Sequence, residues 1–192
     1  MIATSNYANF KFSNSKTYSI SGDRGKKVGY LGRCYPALAP KYEFWIKWYN
    51  ARCKVSADEN NKYYISEFYK KVLADLDPED VYRELENSIL LCYEDSYEFC
   101  HRHIVSAWFE LFLGKEVPEI INDGEDFKRS KRPEYIKAYL EEVIKRSINM
   151  HGFKSIRAAY LFEKGEKLEE RAEVMESKDD YQKESKAVLV KK

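Results

Sequence analysis

Between Ser88 and Leu113 the chain reads SILLCYEDSYEFCHRHIVSAWFELFL. Ile89 to Cys92 is apolar without polar alternation, the pattern of a short strand covered on both faces. A polar loop, Glu94 to Phe99, leads into an apolar helix whose first turn holds Cys100, His101, Arg102 and His103. Parallel strands require crossover connections, so a buried strand feeding a helix implies an α/β sheet. In such sheets ligands sit beyond the carboxyl ends of the strands, which places a site where this helix begins.

The first turn suits anionic chemistry. Backbone N–H groups at a helix start lack intrahelical acceptors, and the aligned peptide dipoles leave partial positive charge there. A thiol with a free pKa near 8.5 becomes nucleophilic when such a terminus and a cation lower that value. Cys100 has the position, and Arg102 supplies the cation. His101 or His103 can act as base, and Glu94 as orienting group or acid. Arg102 can also hold a phosphate or carboxylate through two parallel hydrogen bonds. His101 shares the apolar stripe with Ile104 and Trp108, so a core role for it stays open, as does plain burial for Cys92.

LLCYE, a short gap and CHRH before an apolar helix resemble the hallmark of the domain of unknown function 488 family, in its phage and bacterial form. GRCYPALAPKYEFWIKWYN and YYISEFYKKVL resemble the segments that precede it there, in matching order, over roughly Met1 to Gly114. The resemblance implies an enzymatic role resting on paired cysteines. It carries onto Cys92, Glu94, Cys100, His101 and Arg102; His103 departs from the usual pattern.

The remaining chain reads as follows. MIATS is a first strand, and Thr17 to Ser21, closed by Gly22, a second. Ser5, Asp23 and Arg24 then join Glu94 on one rim, with Arg33 and Lys41 close by, as contacts for a small anionic ligand. Lys26 to Ala39 is a loop. Pro40 opens a helix in which Phe44, Trp45, Trp48 and Tyr49 form one aromatic stripe, either core or a platform for a stacked base. Asp58 to Asn61 reads as a break, and Lys62 to Leu76 as a helix. Asp77 and Pro78 cap the next. Val117 to Ile121 is an edge strand and Asn122 to Arg132 a linker or surface loop. A further helix runs from Pro133 through Met150, Phe153 to Phe162 is apolar enough to dock, and Glu163 to Lys192 is a charged helix and tail.

Metal binding is a second reading. Cys100 and His103, three apart on a helix, project from one side, and Cys92 could face them as a zinc set, although no cofactor is favoured. A Cys92–Cys100 disulfide is a third. Cys34 is a minor candidate, and Cys53 reads as packing.

Composition limits the rest. Net charge is +1, against a globally basic nucleic-acid binder, although Lys128 to Arg132 (KRSKR) is a local basic run. Only 8 glycines and no phosphate-loop spacing argue against a glycine-rich nucleotide cradle. No stretch approaches the roughly 20 apolar residues of a membrane helix, and four reduced thiols without an apolar leader suit the cytoplasm. The expected fold is one α/β domain over 1–121 with a small, mainly parallel, Rossmann-like sheet of about four strands flanked by helices. Residues 122–192 are expected as linker, C-terminal helices packing on it and charged tail. The expected function is cysteine-dependent catalysis on a phosphate-bearing or nucleotide-like molecule, or non-catalytic capture of such an anion; oligomeric state is left open.

Overall fold

The computed structural model describes residues 1–10, 16–122, 126–150 and 152–165. In chain order these contain β1 (Ala3–Asn6), α1 (Tyr7–Phe10), β2 (Thr17–Ser19), β3 (Arg33–Cys34), α2 (Tyr42–Ala51), α3 (Ala57–Phe68), α4 (Pro78–Glu84), β4 (Ile89–Cys92), α5 (His101–Leu113), β5 (Glu119–Asn122), β6 (Phe127–Ser130) and α6 (Tyr135–Ser147). Short 3₁₀ turns occupy Lys26–Val28 and Pro36–Leu38, and a π turn, Tyr69–Leu73, extends α3.

The strands form one mixed sheet in the order β3-β2-β4-β1-β5-β6. All neighbours are parallel except β5 and β6, which run antiparallel. The architecture is α/β, with a mostly parallel sheet flanked by helices. The apolar run Ile89–Cys92 lies between β1 and β2, where both faces of a strand are covered. Successive strand residues point to opposite faces. Ile89, Leu91 and Tyr93 pack with Tyr7 and Phe10 of α1 on one face, whereas Cys92 reaches His101 of α5 on the other.

Helix α5 buries Ile104, Val105, Trp108, Phe109 and Phe112, and α6 buries Ile136, Leu140 and Ile144. Each such side chain contributes about 1.5–3 kcal/mol by leaving water. Gly114, at φ 65°, ends α5 in the left-handed conformation that glycine adopts without strain.

Several sequence expectations change. The sheet has six strands rather than about four, and the second strand ends at Ser19 rather than Ser21. Within the loop expected over Lys26 to Ala39, Arg33 and Cys34 pair with Tyr18 and Ser19 as β3. Phe127–Ser130, within the expected linker, pairs with β5, so β5 is not the edge. A basic edge strand with little apolar alternation escapes pattern reading, and charge on an edge discourages pairing with other chains. The polar residues 58–61 begin α3 instead of breaking the chain: Ser56 accepts from Glu59 N–H, and Glu59 bonds back to Ser56. One compact unit spans Met1–Asn149 and includes β6 and α6.

Residues from Met150 form a second unit, whose described part is a helix over 156–165. The Ser155 hydroxyl accepts from Ala158 N–H at its start, and the rings of Phe153 and Phe162 lie 5.1 Å apart. Of the expected charged helix and tail, residues 166–192 lie outside the described residues. No helix among the described residues is long and apolar enough to cross a membrane.

Candidate functional site

The carboxyl ends of β2 and β4 and the start of α5 enclose a cavity of about 520 Å³. Cys92 closes β4, Cys100 is the residue before the first turn of α5, and His101 begins that turn. All three line the cavity while being almost fully buried. Their ligating atoms lie within 4.8 Å of one another.

His101 fixes the geometry. Its Nε2–H donates to the carbonyl of Ile20, just beyond β2, at 2.8 Å. A carbonyl only accepts, so Nε2 carries the proton and Nδ1 is left for the thiols. Nδ1 stands 3.7 Å from Cys92 Sγ and 3.9 Å from Cys100 Sγ. Phe68 packs beside the imidazole, with ring centres 5.6 Å apart.

The two thiols titrate in opposite directions. Burial raises both, and for Cys92 the neighbouring Cys100 raises it further, keeping this thiol protonated. For Cys100 burial is outweighed by a hydrogen bond from Cys92 and by the charges of Arg102 and His101, which hold it well below the usual thiol range. His101 is in turn held above the ordinary imidazole value: burial opposes its charge, but the Cys100 thiolate outweighs burial. These directions favour negative charge on Cys100 Sγ opposite positive charge on His101, with the Cys92 thiol beside them as donor. Glu94 also lines the cavity and is pushed up to about 7, first by burial and then by the Cys100 charge. That value suits a group that gives and takes protons near neutrality.

Arg102 is fully buried and lies outside the cavity lining. Its Nε contacts both carboxylate oxygens of Glu119 at 3.2 Å, and Nη2 donates to Glu119 at 3.0 Å and to the Asp95 carbonyl at 2.9 Å. Thr4 donates to the same carboxylate at 2.6 Å. The more polar face expected to offer Arg102 to a ligand is an interior one, packed against β1 and β5, so Arg102 acts here as a fixed charge behind the thiols. Its Nη1 is 4.0 Å from Glu94 Oε2, and neither atom has a hydrogen-bond partner among the described residues.

His103 also faces Glu119, at 3.4 Å. The metal-ligand set expected from Cys92, Cys100 and His103 is therefore corrected to Cys92, Cys100 and His101. The three-residue rule fails because Cys100 is extended, at φ −150° and ψ 145°, and its side chain does not follow the helical surface.

Of the expected ligand contacts, only Asp23 lines the cavity. Its carboxylate accepts from Tyr93 at 2.6 Å and from Ser21, Gly25 and Lys27, and despite partial burial these donors hold it below the usual range. Ser5 is buried and donates to the Ile120 carbonyl. Arg24, Arg33 and Lys41 are exposed and lie outside the lining. Cys34 also lies outside it, and Cys53, expected as packing, is exposed.

Sequence reading missed the cavity's walls. Trp48 and Phe99 each meet Tyr64 edge to face with ring centres 5.3 Å apart, Trp48 and Phe99 lie tilted at 5.7 Å, and Tyr42 and Trp45 continue the wall. Of the aromatic stripe on α2, only Phe44 is core. Lys27 is the one lysine or arginine among the lining residues. The tryptophans were visible as a stripe, but Tyr64 and Phe99 come from separate elements and no spacing links them. In Lys128 to Arg132, Arg129 pairs with Glu116, and Arg132 with Glu110.

Comparison with protein-family models, with curated proteins and with solved structures found no match to this chain.

Proposed function

We propose that this chain is a thiol-dependent enzyme acting on a small nucleotide-like molecule that carries a planar ring. The observation that supports the reading is the thiol pair at the cavity with His101 Nδ1 3.7 Å from Cys92 Sγ and 3.9 Å from Cys100 Sγ, the surroundings pushing the Cys100 thiol down and the Cys92 thiol up. Cys100 attacks an electrophilic carbon, the bond to the leaving atom breaks with its electron pair, and the Glu94 carboxyl donates the proton that atom needs. His101 balances the thiolate before attack. The aromatic walls suit the ring, and Lys27 is placed for a phosphate at the rim. The stretch LLCYE to CHRH, whose resemblance to the domain of unknown function 488 family is a sequence reading alone, holds the same two cysteines. The test is a mass-spectrometric screen of nucleosides and nucleotides for consumption. Turnover by the natural chain that Cys100→Ser abolishes supports the proposal; turnover that Cys100→Ser retains removes Cys100 as nucleophile.

A specific observation also favours a metal at this site. A metal-bound histidine ordinarily donates its other ring N–H to a carbonyl or carboxylate, as His101 does to Ile20. Two thiolates and Nδ1, with Glu94 or water as fourth donor, match the preferences of zinc. Elemental analysis of protein purified without a histidine tag decides this. One zinc per chain, lost in Cys92→Ser, supports it; protein purified in zinc-containing medium without bound metal contradicts it.

A further inference from the structure

Cys92 and Cys100 belong to different elements, yet their sulfurs lie within 4.8 Å of each other. Backbone on both sides holds them there. Cys92 stands opposite Asn6 in the ladder between β4 and β1, and the Cys100 carbonyl accepts from His103 N–H at 3.1 Å. The loop between them is tied down as well. Asp95 N–H donates to the Glu98 carboxylate at 2.9 Å, Asn6 donates to the Asp95 carboxylate at 3.0 Å, and Arg102 donates to the Asp95 carbonyl at 2.9 Å. The two thiols are therefore neighbours before any reagent arrives, and proximity of this kind favours reaction of one with the other.

Both cysteines line the cavity of about 520 Å³, although each is only 2 % exposed. A molecule the size of hydrogen peroxide can reach them by that route, whereas the thiol of another protein cannot. Cys34, half-buried, and Cys53, exposed, lie outside the lining.

We infer that Cys92 and Cys100 form a redox modification site, at which a hydroperoxide oxidises the pair to a disulfide that closes the site reversibly. Cys100 Sγ attacks the outer oxygen of the peroxide. The O–O bond breaks with its electron pair on the leaving oxygen, which takes the Cys100 proton, and a sulfenic acid remains on Cys100. Cys92 Sγ then attacks that sulfur; the S–S bond forms, the S–O bond breaks, and the hydroxyl departs as water with the Cys92 proton. The two thiols lose two electrons, and the peroxide is reduced to an alcohol and water. Rotation about the Cα–Cβ bonds supplies the last approach to an S–S bond of about 2.05 Å. A sulfenic acid with no thiol beside it proceeds to sulfinic acid, which thiol reductants do not reverse, so Cys92 keeps the oxidation recoverable. The disulfide removes the nucleophile of the enzyme reading and two donors of the metal set alike. That Cys100 attacks first rests on the enzyme reading above, whereas the disulfide does not.

The test takes the full chain, reduced and dialysed against a chelator, and exposes it to a small excess of hydrogen peroxide. It is then alkylated with iodoacetamide in denaturant and digested with trypsin without reductant. Cleavage after Arg83 and Arg102 puts both cysteines on one peptide, 84–102, and Cys34 and Cys53 on others. Expected is a peptide lighter by two hydrogens that takes up no iodoacetamide, with both alkylation sites restored by dithiothreitol. Cys92→Ser should lose this change and carry a dimedone-reactive sulfenic acid on Cys100, whereas Cys100→Ser should carry none on Cys92; unchanged melting establishes that each variant is folded. Recovery of the natural peptide with both cysteines alkylated, sulfinic acid on one cysteine with the other still a free thiol, or linkage only between chains overturns the inference. Turnover that depends on Cys100 in a chain that forms no disulfide removes the modification site alone. A disulfide that forms while dimedone marks Cys92 in Cys100→Ser, and not Cys100 in Cys92→Ser, leaves the modification site standing and removes the nucleophile of the enzyme reading.

Discussion

His101 donates Nε2–H to the carbonyl of Ile20 across 2.8 Å, and this bond from helix to strand end turns Nδ1 toward Cys92 and Cys100. The ring is buried and wedged against Phe68, so its tautomer and direction are set before any ligand arrives. Preorganisation of this kind is what makes a thiolate useful, because the stabilising groups need not move during reaction.

His101→Ala should remove one of the groups that lower the Cys100 thiol, leaving only the Cys92 hydrogen bond and the Arg102 charge to oppose burial. The Cys100 pKa then rises, and each unit of rise lowers the thiolate fraction about tenfold at pH below it. Alkylation of Cys100 near pH 6.5 should slow by at least about tenfold. A variant with an unchanged pH midpoint would assign the ionisation to Arg102 and Cys92 alone.

Glu119→Gln should destabilise the fold by about 3–5 kcal/mol in urea unfolding, because it leaves the Arg102 guanidinium buried without the carboxylate that it hydrogen-bonds. Replacing both residues with apolar ones of similar volume should cost less than the single change. Equal losses in the single and double variants would show that the pair's hydrogen bonds, rather than an uncompensated charge, carry the effect.

The acid limb of the stability curve should depend on Glu110. Burial raises its pKa, but Arg132 and Lys137 outweigh that and leave it below the ordinary carboxylate value. A carboxyl whose folded value is depressed contributes fully above its unfolded value, near 4.5, and that contribution is lost as pH falls through the lower folded value. Glu110→Gln should lower stability at neutral pH and flatten this part of the curve, measured as melting temperature against pH. A parallel displacement at every pH would contradict the linkage.

The buried strand, the helix beginning beside it and their paired cysteines were legible because each rests on local pattern: an apolar run, a polar loop and a helical stripe. The sheet's edge was not, since β6 has a basic, exposed pattern that matches a loop as well as a strand. The site was half legible. Cys92, Glu94, Cys100 and His101 meet as the sequence suggested, but Arg102 and His103 depend on which side of α5 faces β5. That is decided by Glu119, whose paired role became apparent only when β5 was placed beside β1. Tyr64 and Phe99 join the wall through tertiary packing alone.

Cys100 should be a thiolate at neutral pH while Cys92 is not. This difference is tested most directly by the pH dependence of iodoacetamide labelling, resolved cysteine by cysteine by mass spectrometry, in protein dialysed against a chelator. Cys100 should be labelled rapidly near pH 6, well below the ordinary thiol value of about 8.5, while Cys92 stays unlabelled. Labelling of Cys100 that begins only at the pH where exposed Cys53 begins to react, or preferential labelling of Cys92, would contradict it.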